Sequence, residues 1–257
     1  MTGTFLHLSD LHLTRPGQLV SGIDSLRNLR RVMAYIGQRD IAPSFVVVSG
    51  DLSNDGSQES YEVLAGILAE LPNELPILLA LGNHDDRAAF SRVILGQEGG
   101  GQERYHYSQT IGNVCVIVLD SLVPGQDAGA LGPDQIAWLD RELQESAPAE
   151  TLIVLHHCCR LAAPAHHFPA FILGDAPALE DIVSHHHERI IGVLAGHSHQ
   201  ANAAPFGGTL HVTAPAILCQ LDFFAGETYT PVAGSGFNLC QIQHGQLVVS
   251  PVLLGDG

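Results

Sequence analysis

"LLALGNHDD", residues 78–86, runs an apolar segment and a glycine straight into an amide, an imidazole and two carboxylates. Polar side chains of this kind at the mouth of a buried strand need partners, and a metal or a phosphate would supply them. The junction recurs along the chain. "FLHLS" leads to Asp10, with His12 two residues on, and "FVVVSG" leads to Asp51. "ILLALG" leads to Asn83 and His84, "LIVL" to His156 and His157, and "IIGVLAG" to His197 and His199. In an open α/β sheet the C-terminal ends of parallel strands share one edge, where ligands collect. The pattern therefore predicts that these strand ends converge on one crevice. Glycines before Asp51, Asn83 and His197 allow a sharp turn and close backbone approach there.

Helical patterns separate the strands. Residues 24–39 place Leu26, Leu29, Val32, Met33 and Ile36 at helical spacing. "SQESYEVLAGILAEL" predicts a helix starting near Ser57 or Ser60, and a shorter one runs from Asp86 to Leu95. "GPDQIAWLDRELQES", with Pro133 in its first turn, and "APALEDIVSHHHE" are further helices. "RYHYSQT" and "VCVIVLD" predict an antiparallel pair, and from Gly207 the chain turns to strands. The expected architecture is one α/β domain over residues 1–257, with 205–257 its β-rich C-terminal part. Two sheets would pack together with helices outside.

Composition bounds the function. A chain of 257 residues with 46% hydrophobic and 15% charged content predicts an ordinary packed globule. The net charge of −16, with no run of Lys or Arg, opposes polymeric nucleic acid as a partner. A small anion drawn to a metal centre stays compatible with it. Five cysteines without CxxC spacing predict free buried thiols in a reducing compartment. "MTGTFLHLSD" carries no basic segment followed by a long apolar stretch, and no apolar run reaches the roughly 20 residues that span a bilayer. The expectation is a cytoplasmic protein without a membrane partner.

The strand ends collect two carboxylates, an amide and at least four imidazoles, with no thiolate. One ion rarely takes so many ligands; two ions sharing a carboxylate use them well. Such a pair, ~3.5–4 Å apart, activates a water and clamps the oxygens of a phosphoryl group. The residue types point to metal-assisted hydrolysis of a phosphoester. Mixed oxygen and nitrogen donors suit manganese or iron, with zinc or cobalt as alternatives.

"DLH", "GDLSNDG", "GNHDD", "HH" and "GHSH", in that order, resemble the calcineurin-like metallophosphoesterases. The nearest branch is the class III cyclic nucleotide phosphodiesterases and related glycerophosphodiesterases. The resemblance implies a four-layer α-β-β-α sandwich, two mixed β-sheets flanked by helices. It implies one metal on Asp10, His12, Asp51 and His199, and a second on Asp51, Asn83, His156 and His197, with Asp51 bridging. Asn83 and His84 would contact substrate. His84 would face the phosphate and not a metal, and would stabilise its charge or protonate the leaving alkoxide. The nucleophile would be a metal-bound hydroxide, and Asp85 would orient His84.

Two departures from the family pattern matter. The family usually continues its His-His pair with Pro-Pro, whereas this chain reads "HHCCR". The choice between His156 and His157 stays open on that ground, with His156 preferred because it follows the strand directly. The altered loop also puts Arg160 in a position to contact substrate. "GDLSNDG" lacks the Arg that the protein serine/threonine phosphatase branch carries soon after it, which disfavours phosphoproteins. The expected reaction is hydrolysis of a small phosphodiester, first a cyclic nucleotide (3′,5′-cAMP or a 2′,3′-cyclic nucleotide). A glycerophosphodiester or a phosphomonoester is the alternative, and a non-catalytic metal-binding scaffold is the reading from another class. Loops 15–24, 160–175 and 220–235 would set specificity. His7 and His106 read as packing residues, and His185, His186 and His187 as cations at a helix end. Residues 222–229 read as a lid, a subunit contact or core. A homodimer through the C-terminal strands is compatible with the sequence but not required by it.

Overall fold

The computed structural model describes residues 3–145, 150–162, 167–224 and 228–255; residues 163–166 of the 160–175 loop and 225–227 of the 222–229 stretch lie outside them. Strands β1 (Thr4–Leu8), β2 (Val46–Ser49) and β3 (Ile77–Ala80) alternate with helices α1 (Ser25–Gly37), α2 (Gln58–Ala69) and α3 (Arg87–Val93). Then come β4 (Tyr107–Ile111), β5 (Val114–Val118), α4 (Pro133–Glu145), β6 (Glu150–Val154), α5 (Ala176–His185) and β7 (Ile190–Ala195). The rest is β8 (Asn202–Phe206), β9 (Thr209–Thr213), β10 (Gln220–Asp222), β11 (Thr230–Val232), β12 (Ser235–Gln243) and β13 (Gln246–Leu254).

The strands form two large sheets, ordered β13-β12-β1-β2-β3 and β4-β5-β6-β7-β9-β8, and β10 pairs with β11 in a small ribbon. β1, β2 and β3 are parallel, with β12 antiparallel to β1. β5, β6, β7 and β9 are parallel, with β4 and β8 antiparallel at the edges. Both sheets are therefore mixed. In β2, Val46 and Val48 pack with Leu29, Val32 and Leu64 of the outer helices, while Val47 packs with Val116, Leu152 and Leu194 of the other sheet. A strand covered on both faces has no polar side to show, which is why "FVVVS" lacks alternation. Leu139, Leu143, Leu179 and Val183 of α4 and α5 cover the far face of the second sheet. The layers run helix, sheet, sheet, helix.

Helix starts follow local chemistry. Asp24, Ser57 and Asp86 cap α1, α2 and α3, accepting from the backbone N–H of Arg27, Ser60 and Ala89. β12 and β13 are joined at His244 and Gly245, with φ of 53° and 74°, the left-handed pair that a tight hairpin demands. Three strands escaped the sequence reading. β8 is "NAAPF", poor in β-branched residues and holding Pro205, tolerated because this is an edge strand. β10 and β11 are three residues each, too short to show a period.

Candidate metal centre

The convergence occurs, but between two sheets and not along one edge. β1 and β2 supply Asp10, His12 and Asp51 just past their ends, and the turn after β3 supplies Asn83 and His84. β6 and β7 of the other sheet supply His156, His197 and His199. The exits are laced together by backbone bonds: Asp10 N–H to Gly50 O at 3.1 Å, His12 N–H to Asp51 O at 2.9 Å and Gly196 N–H to His156 O at 2.9 Å. Asp10, His12, Asp51, His197 and His199 all have φ between 45° and 67°, a region non-glycine residues rarely occupy. Strain repeated at these side chains marks a functional cluster. Gly82 has a steric reason as well: a Cβ there would overlap Asp51 Oδ1 and come within 2.7 Å of the His156 ring.

Two groups of donors emerge. Asp10, His12 and His199 each bring one ligand atom within 4.8 Å of the others, and so do Asp51, His156 and His197. Asp51 Oδ2 lies 3.4 Å from His12 Nε2 and 3.3 Å from His156 Nε2, between the groups. Asn83 Oδ1 is 3.2 Å from His156 Nε2. His84 also comes within 4.8 Å of His12 and Asp51, but its Nδ1–H donates to Asn54 O at 2.8 Å. The other ring nitrogens are held in the same manner. His156 Nδ1–H donates to Ser49 O at 2.8 Å, His199 Nδ1–H to Cys219 O at 2.8 Å, and His197 Nε2–H to Ala170 O at 3.1 Å. His12 Nδ1 meets Asn54 Oδ1 at 3.2 Å. Carbonyl-anchored imidazoles present a fixed lone pair from the opposite nitrogen, the arrangement that metal-binding histidines need.

Those lone pairs point at one another and at oxygens. His12 Nε2 and His199 Nε2 stand 3.2 Å apart. His156 Nε2 faces Asn83 Oδ1, Asp51 Oδ2 and, at 4.0 Å, Asp10 Oδ1. Acceptor facing acceptor is repulsive unless a cation lies between, so the donor set fits metal ions. Without them, protons take that role. Burial would lower His156 and His199, but the charges of Asp51 on the first and Asp10 on the second outweigh it and lift them to about 9 and about 10. Burial keeps His12 and His197 neutral, at about 4 and about 3. Asp10 and Asp51 stay ionised: burial opposes this, and the neighbouring imidazoles overcome it.

A family model for calcineurin-like phosphoesterases matches residues 3–201. The chain belongs to the calcineurin-like phosphoesterase family. It is 32% identical over 257 residues to a probable cyclic nucleotide phosphodiesterase of Rhodococcus erythropolis, covering 97% of this chain and 83% of that one. It is 30% identical to a cAMP/cGMP dual specificity phosphodiesterase of Mycobacterium tuberculosis, covering 98% and 80%. The solved structure of a dimetal phosphatase from Danio rerio superposes with a TM-score of 0.65 at 16% identity, covering 98% of each chain, which shows the shared fold. The resemblance in the five motifs, the two-sheet sandwich and the standing as a metal-dependent phosphodiesterase are thereby borne out. The family implies divalent cations, and these donors suit them.

Within this phosphoesterase frame one preference holds and two expectations shift. His156, the preferred of the pair, joins the cluster, and His157 uses Nδ1 on Ser121 Oγ at 2.7 Å and donates Nε2–H to Asp127 O at 3.0 Å. Arg160 does not reach the cleft; it pairs with Glu180 at 2.8 Å and donates to Pro205 O, because α5 and β8 pack beside it. Asp85 does not orient His84. Its Oδ1 accepts from Ser53 N–H and Tyr61 O–H, and its Oδ2 from Leu52 N–H and Gly82 N–H. Burial, then the nearby Asp51 charge, raises it to about 6. The residue that sequence reasoning missed is Asn54, which holds His12 by its side chain and His84 by its carbonyl. It stands inside "GDLSNDG", so the motif was the available signal. The carbonyl anchors of Ser49, Ala170 and Cys219 leave no trace in side-chain identity.

The other minor expectations resolve. All five cysteines are free and buried. His7 is buried and bonded to Ser49 Oγ at 2.9 Å, and His106 packs on Trp138 at 4.4 Å. His186 pairs with Asp140 at 2.9 Å, while His185 and His187 donate to carbonyls of α5. Above the cluster opens a cleft of about 510 Å³, whose walls draw on the three loops expected to set specificity: Val20 and Ile23, Phe168 and Phe171, Leu221 and Tyr229. Phe223 is core, 1% exposed. Among the described residues no helix is long and apolar enough to cross a membrane.

Proposed function

We propose that the protein hydrolyses a cyclic nucleotide at a centre of two metal ions. The observation that carries the reading is Asp51, whose Oδ2 lies within 3.4 Å of an imidazole nitrogen from each donor group. Asp10, His12, Asp51 and His199 would hold one ion, and Asp51, Asn83, His156 and His197 the other. Bound there, the ions would supply a water acidic enough to attack phosphorus, and positive charge against the phosphoryl oxygens. Manganese and iron are the first candidates.

The chain's own residues do the rest. Asp51 joins the two halves, and its orientation is kept by His84 N–H, which donates to Oδ1 at 3.0 Å. His84 is exposed and its Nδ1–H is committed to Asn54 O, so Nε2 is the atom free to meet substrate. Protonated, it donates to a phosphoryl oxygen or to the departing alkoxide. The cleft volume lies within the roughly 300–1,000 Å³ of small-ligand sites. The names of the two bacterial relatives support a cyclic nucleotide over other diesters. Net charge of −16 keeps polymeric nucleic acid away, and buried free thiols accord with a reducing cytoplasm.

The test is a substrate panel on metal-loaded protein: 3′,5′- and 2′,3′-cAMP, glycerophosphocholine and p-nitrophenyl phosphate. The expected order puts a cyclic nucleotide first in kcat/KM. Preference for the monoester would overturn the diesterase reading, and preference for glycerophosphocholine would replace the nucleotide. No metal-dependent turnover on any of them, with two ions bound, would mean a scaffold.

A further inference from the structure

No step of phosphoester hydrolysis uses the aromatic wall of the cleft. Phe171 and Phe223, 8% and 1% exposed, form its buried base. Phe168 and Tyr229 stand on that base, with ring centroids of Phe168 at 5.4 Å from Phe223 and of Tyr229 at 5.3 Å from Phe171. Phe168 and Tyr229 are themselves 5.9 Å apart, and both line the cleft. The wall begins at the metal-facing cluster, since the Phe171 ring packs at 4.9 Å on His197. Tyr229 is 45% exposed, a large ring left open to the cleft. A substrate whose phosphorus sits at the donor cluster has these rings along one side of the cleft.

We infer that Phe168, Phe171 and Tyr229 are the platform for the base of a cyclic nucleotide, held by its ring face, and that adenine and guanine are accepted alike. The inference rests on the cyclic nucleotide reading above. Its physical basis is that stacking on an aromatic side chain is available to every base, because every base has a π-face. Telling adenine from guanine requires donors and acceptors aimed at the base edges, and phenylalanine rings offer none. The Tyr229 hydroxyl bonds to no described residue, so nothing fixes it as an edge reader. A glycerol-based diester would leave the same rings wet, which gives the wall no reason to be aromatic.

The experiment compares Tyr229→Ala, Phe168→Ala and Tyr229→Phe with the parent enzyme on three substrates: 3′,5′-cAMP, 3′,5′-cGMP and ribose 3′,5′-cyclic phosphate, which lacks the base. In the parent, cAMP and cGMP should agree within about threefold in kcat/KM. In Tyr229→Ala the ratio of kcat/KM for cAMP over the baseless analogue should fall about tenfold, equivalent to about 1.4 kcal/mol and within the stacking range. The loss should appear in KM, and Tyr229→Phe should keep the parent ratio. An equal loss on the baseless analogue would make the wall structural only and overturn the platform. A large gap between cAMP and cGMP would overturn ring-face recognition. If the parent cleaves no cyclic nucleotide, the functional reading fails separately. 5′-AMP and 5′-GMP as inhibitors of whatever diester it does cleave then decide the platform: inhibition weakened by Tyr229→Ala sustains it, and no inhibition ends it.

Discussion

Individual side chains divide the labour of this site, and the division can be measured. His84 and Asp51 are bonded to each other through His84 N–H, yet their roles differ. His84→Ala should lower kcat by about 10²–10³, the size of a lost charge-stabilising donor, while metal content stays at the parent level. Asp51→Asn removes the carboxylate between the two donor groups and should lower metal content as well. Metal analysis of both purified variants separates the cases; loss of an ion in His84→Ala would make His84 a ligand. Asp10, His12, Asp51, His197 and His199 could be picked from the sequence because a polar donor at the end of a buried apolar run must find a partner where the strand ends. Their left-handed backbone could not, since φ is set by the chain on both sides. Asn54 went unnamed because its function depends on where two distant imidazoles come to rest.

Between elements, the decisive link is Asp85. Four donors from the turn after β2, the turn after β3 and Tyr61 of α2 converge on its two oxygens, which fixes the distance between the exits that carry Asp51 and Asn83. Asp85→Asn turns one acceptor oxygen into a donor NH₂ and leaves two buried donors unmatched. It should cost about 3 kcal/mol, whereas Tyr61→Phe, which loses the bond to Asp85 and the one its hydroxyl accepts from Asp86 N–H, should cost about 2 kcal/mol; denaturant titration of both variants checks this. Equal stability of Asp85→Asn and the parent would show that the exits are held by something else. The helices and long strands were legible because their periodicity reports burial. β8, β10 and β11 were not, since edge position and pairing with a neighbour, not local pattern, make them strands.

For the molecule as a whole, the donor cluster is a store of pH-dependent stability that metal should erase. In the metal-free protein His156 and His199 titrate above their ordinary value of 6.5, so their contribution is complete below pH 6.5 and lost as pH rises through about 9 and 10. His12 and His197 titrate below it, so theirs is complete above pH 6.5 and lost as pH falls toward 4 and 3. The lowered Asp10 and Asp51 add to the acid side below 3.8. Asp85, raised from 3.8 to about 6, works the other way over that interval and is outnumbered. The melting temperature of metal-stripped protein should peak near pH 6.5, and added metal should remove the decline above it, because cations replace the two protons. A flat profile from pH 6.5 to 10 without metal would contradict the cluster's electrostatics. The amino-acid order by itself determined the alternation of strands and helices, the family, and the types of donor that gather, because burial period and donor chemistry are properties of single residues. Only the tertiary structure decided that the gathering place lies between two sheets, that His156 and not His157 enters it, that Arg160 turns away, and that an aromatic wall borders it. Each of those outcomes depends on contacts between residues far apart in the chain, whose geometry no local pattern records.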